Sequence, residues 1–387
     1  MIDRFSNLFK SFFDSEKVAG LLLLFCTIIS LSIANSSFGD FYVDFMHSKI
    51  DLSFANGSLN YSVEQWVNDG LMTIFFLMVG LEVEREIYVG ELSDIKKAIL
   101  PVAAAVGGML VPSLIHFILN NGTTTQSGFA IPMATDIAFA LGVLALAGNK
   151  VPTSVKVFLA ALAIIDDIGA IVVIAFFYTA TITFSYLAVA LAIFGLLLIF
   201  NRMKVFNLAF YLLPGLLMWY CFLQSGVHPT LSGVLLAFAI PFHKTDEKNV
   251  SLRLQHFLHK PVAIVIIPIF ALVNTAIILP NNFSQAILNT NSAGIIAGLF
   301  VGKVIGIVLF PYLLIKFAKA KLQKGINFQL LIGIGFLGGI GFTMSMFIGN
   351  LAFDDSNTII NSKLSILIGS ALSAITGLLI LRRSAKT

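Results

Sequence analysis

The sequence predicts an all-α polytopic membrane protein, a single integral-membrane domain over residues 1–387 with about twelve transmembrane helices. Three observations carry this. Hydrophobic residues make up 58% of the chain and charged residues only 11%, against about 25% in soluble domains. Mean hydropathy is +0.94. Apolar stretches near the membrane-crossing length of roughly 17–25 residues recur at 18–35, 63–81, 98–119, 128–148, 157–178, 183–200, 205–222, 226–241, 256–279, 292–315, 328–350 and 364–381.

The first stretch is too long for the apolar region of a secretory signal, and no small-residue cleavage site follows it. It reads as a retained helix. The eighth is the shortest. With both termini cytoplasmic, only Lys49 and Lys363 of the 24 lysines and arginines fall on the opposite face, and Lys303 falls inside the tenth span. The others are cytoplasmic, counting Lys260 at the cytoplasmic end of the ninth span, a bias that sets the orientation. Cys26 and Cys221 lie in apolar segments and form neither a metal motif nor a disulfide framework. No basic patch interleaved with aromatics points to nucleic acid. Most loops are short. Residues 36–62 form the exception. They alternate partly and carry Asn56-Gly57, a β-hairpin signal, and a hairpin there suits contact between protomers.

Charge inside the spans is sparse. Residues 157–180 read VFLAALAIIDDIGAIVVIAFFYTA, with Asp166 and Asp167 as the only charges. A carboxylate at mid-span costs about 3 kcal/mol on insertion scales. Two neighbours repel, so at least one holds a proton or a cation. A titrating, cation-binding pair at mid-membrane is the minimum equipment for exchanging protons for a metal ion. The plainer alternative, a buried hydrogen-bonding role, is open to Asn or Ser at lower cost. Asp136 sits beside Pro132 and Thr135 in GFAIPMATDIAFALG. Proline removes a helical hydrogen bond, so this span reads either as unwound around a cavity or as kinked with a polar cap. The eleventh span, FLGGIGFTMSMFIG, is weakened by Gly338, Gly339 and Gly341 and offers the hydroxyls of Thr343 and Ser345. Two interrupted spans in corresponding halves point to an inverted-repeat transporter, while glycines at close helix crossings are the alternative. Lys303 needs a buried anion, Asp166 or Asp136, or the negative end of a helix dipole, as Asp136 suits a positive end. Asp69 is a further buried acid. Glu82, Arg85 and Glu86 end the second span, and His228 starts the eighth.

These residues carry a family resemblance. The stretches NDGLMTIFFLMVGLEVERE (68–86), IPMATDIAFALG (131–142), ALAIIDDIGAI (161–171), SGVHPTL (225–231), GLFVGKVIG (298–306) and GIGFTMSMFI (339–348) resemble, in order, those of the NhaA-type bacterial sodium/proton antiporters. The resemblance implies a non-enzymatic inner-membrane transporter with no cofactor, whose substrates are sodium or lithium and protons. It implies inverted repeats over roughly 98–178 and 292–381, and broken, crossing fourth and eleventh spans. Cation binding is assigned to Asp166 and Asp167, with Thr135 and Asp136 beside them and Lys303 paired to Asp166. A pH response is assigned to Glu82, Arg85, Glu86 and His228, and a homodimer to the 36–62 region. Glu84 departs from the family's lysine, Pro229 from a small residue and Val304 from a proline. The first two bear on the pH profile, none on the aspartates. An intramembrane aspartyl protease is the second class, but its aspartates stand on separate helices with a Gly-x-Gly-Asp signature. A retinal-type photoreceptor with Lys303 as Schiff base has seven spans, and a cation channel passes current without proton countertransport.

Overall fold

The computed structural model describes residues 2–53, 59–148, 151–179, 181–243, 249–280, 282–323 and 325–384, with side-chain surroundings defined from residue 18 onward. The chain is predominantly helical. In order come α1 (Ile2–Ala34), α2 (Gly39–His47), a short antiparallel pair β1 (Lys49–Asp51) and β2 (Asn60–Ser62), then α3 (Val63–Val89) and α4 (Ile95–Leu119). A 3-10 segment, Gln126–Met133, precedes α5 (Ile137–Leu146). Then follow α6 (Thr153–Phe177), α7 (Phe184–Arg202), α8 (Ala209–Ser225), α9 (Thr230–Ala239), α10 (Val250–Asn274), α11 (Phe283–Ile287) and α12 (Thr290–Ala318). The chain ends with α13 (Phe328–Gly338), α14 (Phe342–Ala352) and α15 (Ser356–Ser384).

Among the described residues, 7 helices are long and apolar enough to cross a membrane, or up to 10 if each bent pair counts as one span. The bent pairs are Val18–Ala34 with α2 at 113°, Gln126–Met133 with α5 at 42°, and α13 with α14 at 45°. Two further apolar helices, α8 and α9, are shorter. Many large apolar side chains stay exposed on the protein, among them Phe176 at 80% and Leu213 at 70%. On a water-soluble surface such a belt would aggregate; in a bilayer it meets hydrocarbon.

Two elements differ from the sequence expectation. Regular helix in the eighth stretch starts only at Thr230, not 226. Gly226 takes φ 82 and closes α8 in the left-handed conformation, and Pro229 caps α9, as a residue that cannot continue an earlier helix does. The 36–62 loop holds a helix, α2, before its hairpin. In the hairpin Lys49 pairs with Ser62 and Asp51 with Asn60; the Asn56-Gly57 turn lies outside the described residues.

The chain divides into two compact units. One comprises residues 1–25, 94–170 and 279–387. Its helices α4 and α12 cross at glycines: a Cβ on Gly306 would strike the Gly107 carbonyl, and one on Gly108 would sit 2.9 Å from Ile307. Small residues are how membrane helices approach closely. A π-helical turn over Gly298–Gly302 immediately precedes Lys303 in α12. At the start of α15, Asp355 accepts from the Thr358 backbone N–H at 2.8 Å and hydroxyl at 2.7 Å, and these bonds hold its carboxyl below the usual range.

The other unit comprises residues 26–93 and 171–278. There α3 meets α9 through small residues, with Gly80 facing Ala237 and Gly233 facing the Thr73 carbonyl. Leu81, Tyr211, Met218, Ala237 and Ile240 form its core. Helix α3 opens with a capping box at Ser62 and Gln65 and contains a π-helical turn over Trp66–Leu71. The displaced Asp69 carbonyl accepts from Trp219 Nε1 at 2.9 Å and Thr73 Oγ1 at 2.6 Å.

The glycine crossing yields a direct test. Gly306→Leu is expected to cost about 1–3 kcal/mol through overpacking and to lower the thermal midpoint of the detergent-purified protein. Gly195→Ala in α7, where a Cβ meets nothing within 4 Å, should leave the midpoint almost unchanged. Equal effects would mean the α4–α12 approach is not limiting.

Candidate cation site

The site lies wholly within the unit formed by residues 1–25, 94–170 and 279–387. It starts from two interruptions in the backbone. Pro132 lies in the 3-10 segment, after which Ala134–Asp136 run extended into α5. Gly339, Ile340 and Gly341 separate α13 from α14. Each break frees peptide groups that hydrocarbon cannot satisfy, and the two segments satisfy one another. Asp136 N–H donates to the Ile340 carbonyl at 2.7 Å. Ser345 Oγ donates to the Ile131 carbonyl at 2.7 Å. Ser370 Oγ, from α15, accepts from Gly341 and Phe342 N–H, both at 3.2 Å.

Asp136 joins two helix N-termini. Its Oδ1 accepts from Phe139 N–H at 2.9 Å, capping α5. Its Oδ2 accepts from Thr343 N–H at 3.0 Å and Thr343 Oγ1 at 2.5 Å, in the first turn of α14. A carboxylate between two positive helix ends offsets the partial charges of both.

Lys303 serves the opposite polarity. It is completely buried. Its Nζ donates to Asp166 Oδ2 and, at 2.9 Å, to Thr135 Oγ1. The Thr135 hydroxyl lies 2.6 Å from Asp166 Oδ2 and 2.8 Å from the Gly338 carbonyl. Gly338 ends α13, so the ammonium sits one hydroxyl away from a negative helix end. Of the partners the sequence left open, Lys303 takes Asp166 directly and a helix terminus through Thr135, while Asp136 meets two helix N-termini.

Asp166 and Asp167 follow each other on α6, 0% and 2% exposed. On a helix they project about 100° apart. Asp166 uses Oδ2 for Lys303 and Thr135. Its Oδ1 is buried and has no hydrogen-bond partner among the described residues. Asp167 is near enough to Lys303 to act on it electrostatically. An acceptor oxygen without a donor, next to a second carboxylate, is a place for a proton or a small hard cation.

The acids assigned to pH response cluster near the end of α3. Arg85 Nη2 reaches Glu86 Oε1 at 2.9 Å and Glu82 Oε1 at 3.4 Å. Glu84 is buried, and its Oε2 accepts from Ser251 Oγ of α10 at 2.9 Å. It is therefore not a solvated surface charge. His228 is not beside this cluster. Its Nε2 lies 3.5 Å from Asp69 Oδ1, and its Nδ1 2.7 Å from Thr230 Oγ1. Asp69 and Glu82 are thirteen residues apart on α3, about 20 Å at 1.5 Å per residue. Sequence reasoning missed Ser370 and the Ser345 bond to Ile131, because hydroxyls in an apolar helix carry no sign of the backbone they will meet.

With this geometry in view, the model of the family described as Na+/H+ antiporter 1 matches residues 10–381. The chain belongs to that family. Its members are transporters rather than enzymes. The relatives are similar over almost their whole length. A protein named Na(+)/H(+) antiporter NhaA from Flavobacterium psychrophilum is 54% identical over 97% of this chain and 95% of its own. One of the same name from Dechloromonas aromatica is 54% identical over 97% and 96%. One from Yersinia enterocolitica is 46% identical over 97% of each chain.

The Lys303–Asp166 pair can be tested without transport. Lys303→Met should destabilise the purified protein by about 3–5 kcal/mol, because it strands a buried charge. Adding Asp166→Asn should return much of that loss. A double variant as unstable as the sum of the single ones would show that the two groups do not depend on each other.

Proposed function

We propose that the protein exchanges cytoplasmic sodium, or lithium, for external protons across a bacterial inner membrane, by alternating access at Asp166 and Asp167. The observation that carries this reading is the unpartnered Oδ1 of Asp166, buried beside Asp167 on a span with no other mid-membrane charge. Family membership and the names of the relatives support sodium/proton antiport as the activity.

The architecture follows the same reading. Counting each bent pair as one span and adding the shorter α8 and α9 gives twelve crossings, with both termini cytoplasmic. The unit holding the site draws residues 94–170 and 279–387 together, which supports an inverted-repeat pair over about 98–178 and 292–381. The exposed strand β1 offers an edge to a second copy, so a homodimer through 36–62 belongs to the proposal.

The exchange runs on competition. Facing the cytoplasm, the deprotonated carboxylates attract Na+ or Li+, hard cations that suit oxygen ligands. Thr135 and Lys303 hold one oxygen of Asp166, leaving Oδ1 and Asp167 to receive the ion. Rearrangement of the crossed half-helices opens the site outward, the cation leaves, and external protons reload it. Cation and proton occupy the same oxygens, so coupling needs no separate device. If both carboxylates are vacated for one Na+, two protons cross against one positive charge and transport is electrogenic. The same imbalance arises if Lys303 takes a proton when Asp166 is released.

In vesicles with an imposed pH gradient followed by a dye, Na+ or Li+ should dissipate the gradient. Asp167→Asn should abolish this response, whereas Asp166→Asn, whose charge is partly held by Lys303, should leave a residual rate. Full activity in Asp167→Asn would overturn the mechanism. Reconstituted protein should also carry net current that reverses with the gradient; strictly electroneutral exchange would contradict the two-proton site.

Rate should rise with pH at fixed sodium, since protons and sodium compete by mass action. Glu84→Gln keeps a polar group opposite Ser251 but removes a negative charge that stabilises protonated neighbours. It is expected to move the activation midpoint to lower pH without changing the cations carried. An unchanged midpoint would make Glu84 a structural bond between α3 and α10.

A further inference from the structure

Helix α2 has three faces, and only two are accounted for by the protein. At 100° per residue, Gly39, Tyr42 and Met46 share one side. Gly39 and Met46 are buried there. Tyr42 Oη donates to the Leu272 carbonyl at 3.2 Å and lies 3.1 Å from Ser30 Oγ, which itself donates to the same carbonyl at 2.6 Å. A second side gathers Asp40, Asp44 and His47, all exposed, with His47 Nε2 3.3 Å from Glu64 Oε2. The third gathers Phe38, Phe41 and Phe45, exposed by 72%, 76% and 53%. Three phenylalanines on one narrow stripe are far from what a water-facing helix carries.

The placement of α2 says what covers them. It follows α1 after four residues and turns 113° from it. A span tilts about 20° from the bilayer normal on average, so a helix bent this sharply runs close to the membrane plane. It does so at the depth where α1 leaves the hydrocarbon. The tie from Tyr42 to Leu272 and Ser30 fixes its rotation, so neither the Phe stripe nor the acidic stripe is free to roll away. An in-plane helix at the boundary, with an aromatic face and a charged face, is the form of an interfacial anchor.

We propose that Phe38, Phe41 and Phe45 dock α2 into the interfacial layer of the lipid bilayer in which the protein sits, with Asp40, Asp44 and His47 turned to water. The occupant is the lipid, not a second chain. The Phe stripe is on α2 and the proposed dimer edge on β1, so the lipid contact does not depend on the dimer. The acids make an anionic partner unsuitable for the water side, and the Phe face carries no charge to distinguish headgroups. The anchor fixes the depth of α1 and, through Leu272, of α10. This inference needs only that α1 spans the membrane, and stands independently of the transport reading.

The test is tryptophan fluorescence of the full chain in vesicles. Phe41→Trp is read against the wild-type emission of Trp66 and Trp219. Vesicles contain phosphatidylcholine brominated near the headgroup end of the acyl chains, or iodide is added to the water. The added emission should lose about half or more of its intensity to bromolipid and little to iodide, as an interfacial ring does. Asp44→Trp, on the opposite stripe, should show the reverse. If Phe41→Trp fails to fold, Phe45→Trp tests the same face. Quenching of Phe41→Trp by iodide but not bromolipid would overturn the proposal. So would shielding from both quenchers that disappears when the protein is diluted into excess lipid, which would place a second copy on the stripe.

Discussion

Charge within hydrocarbon has to be answered by charge or by aligned peptide dipoles, and the site of this protein is organised by that requirement. A lone mid-span lysine or aspartate is strongly disfavoured. Lys303 is tolerated because Asp166 and Thr135 meet its ammonium. Asp136 is tolerated because two helix N-termini meet at its carboxylate. The broken helices are therefore not weaknesses around an otherwise complete site. They supply the dipole ends that let isolated charges stay buried. The glycines where α4 crosses α12 bring Lys303 close enough to use them.

The same balance leaves one oxygen over. Asp166 has two oxygens and Lys303 engages one. Asp167 follows on the same helix, so the pair cannot point at one partner. What remains is an acceptor without a donor in an apolar surround, a condition proteins rarely leave uncorrected. Under the function proposed above, its correction by a proton on one occasion and a sodium ion on another is the exchange itself. On this account the conformational change has little chemistry to perform. It only has to present one site to two sides, and the two broken helices give it separate elements to move.

Much of this was legible in the sequence. Asp166 and Asp167 stood out because nothing else in their span is charged. Pro132 and the Gly338–Gly341 cluster located the two breaks, since both residue types disrupt helices by known local effects. Apolar length marked most of the membrane-length helices without reference to packing. What was not legible depended on long-range contact. Pairing of Lys303 with Asp166 had to be chosen from two candidates, and Ser370 as a cap for α14 carries no local mark. Nothing in the sequence marks Glu84, beside Arg85 and Glu86, as buried, yet its carboxylate accepts from Ser251 of α10. His228 was grouped with the acids at the other end of α3 on resemblance, while its position after the left-handed Gly226 puts it with Asp69. Helix α2 was hidden by a loop whose Asn56-Gly57 pair advertised only a hairpin.

The central claim is that sodium and protons occupy the same carboxylate oxygens. It is tested most directly by adding sodium chloride to weakly buffered, detergent-purified protein and recording proton release with an indicator dye, using choline chloride as the control. The account predicts protons released on sodium addition, fewer as pH rises and the site empties of protons, and none from Asp167→Asn. Sodium binding measured calorimetrically under the same conditions, with no proton release at any pH, would contradict it.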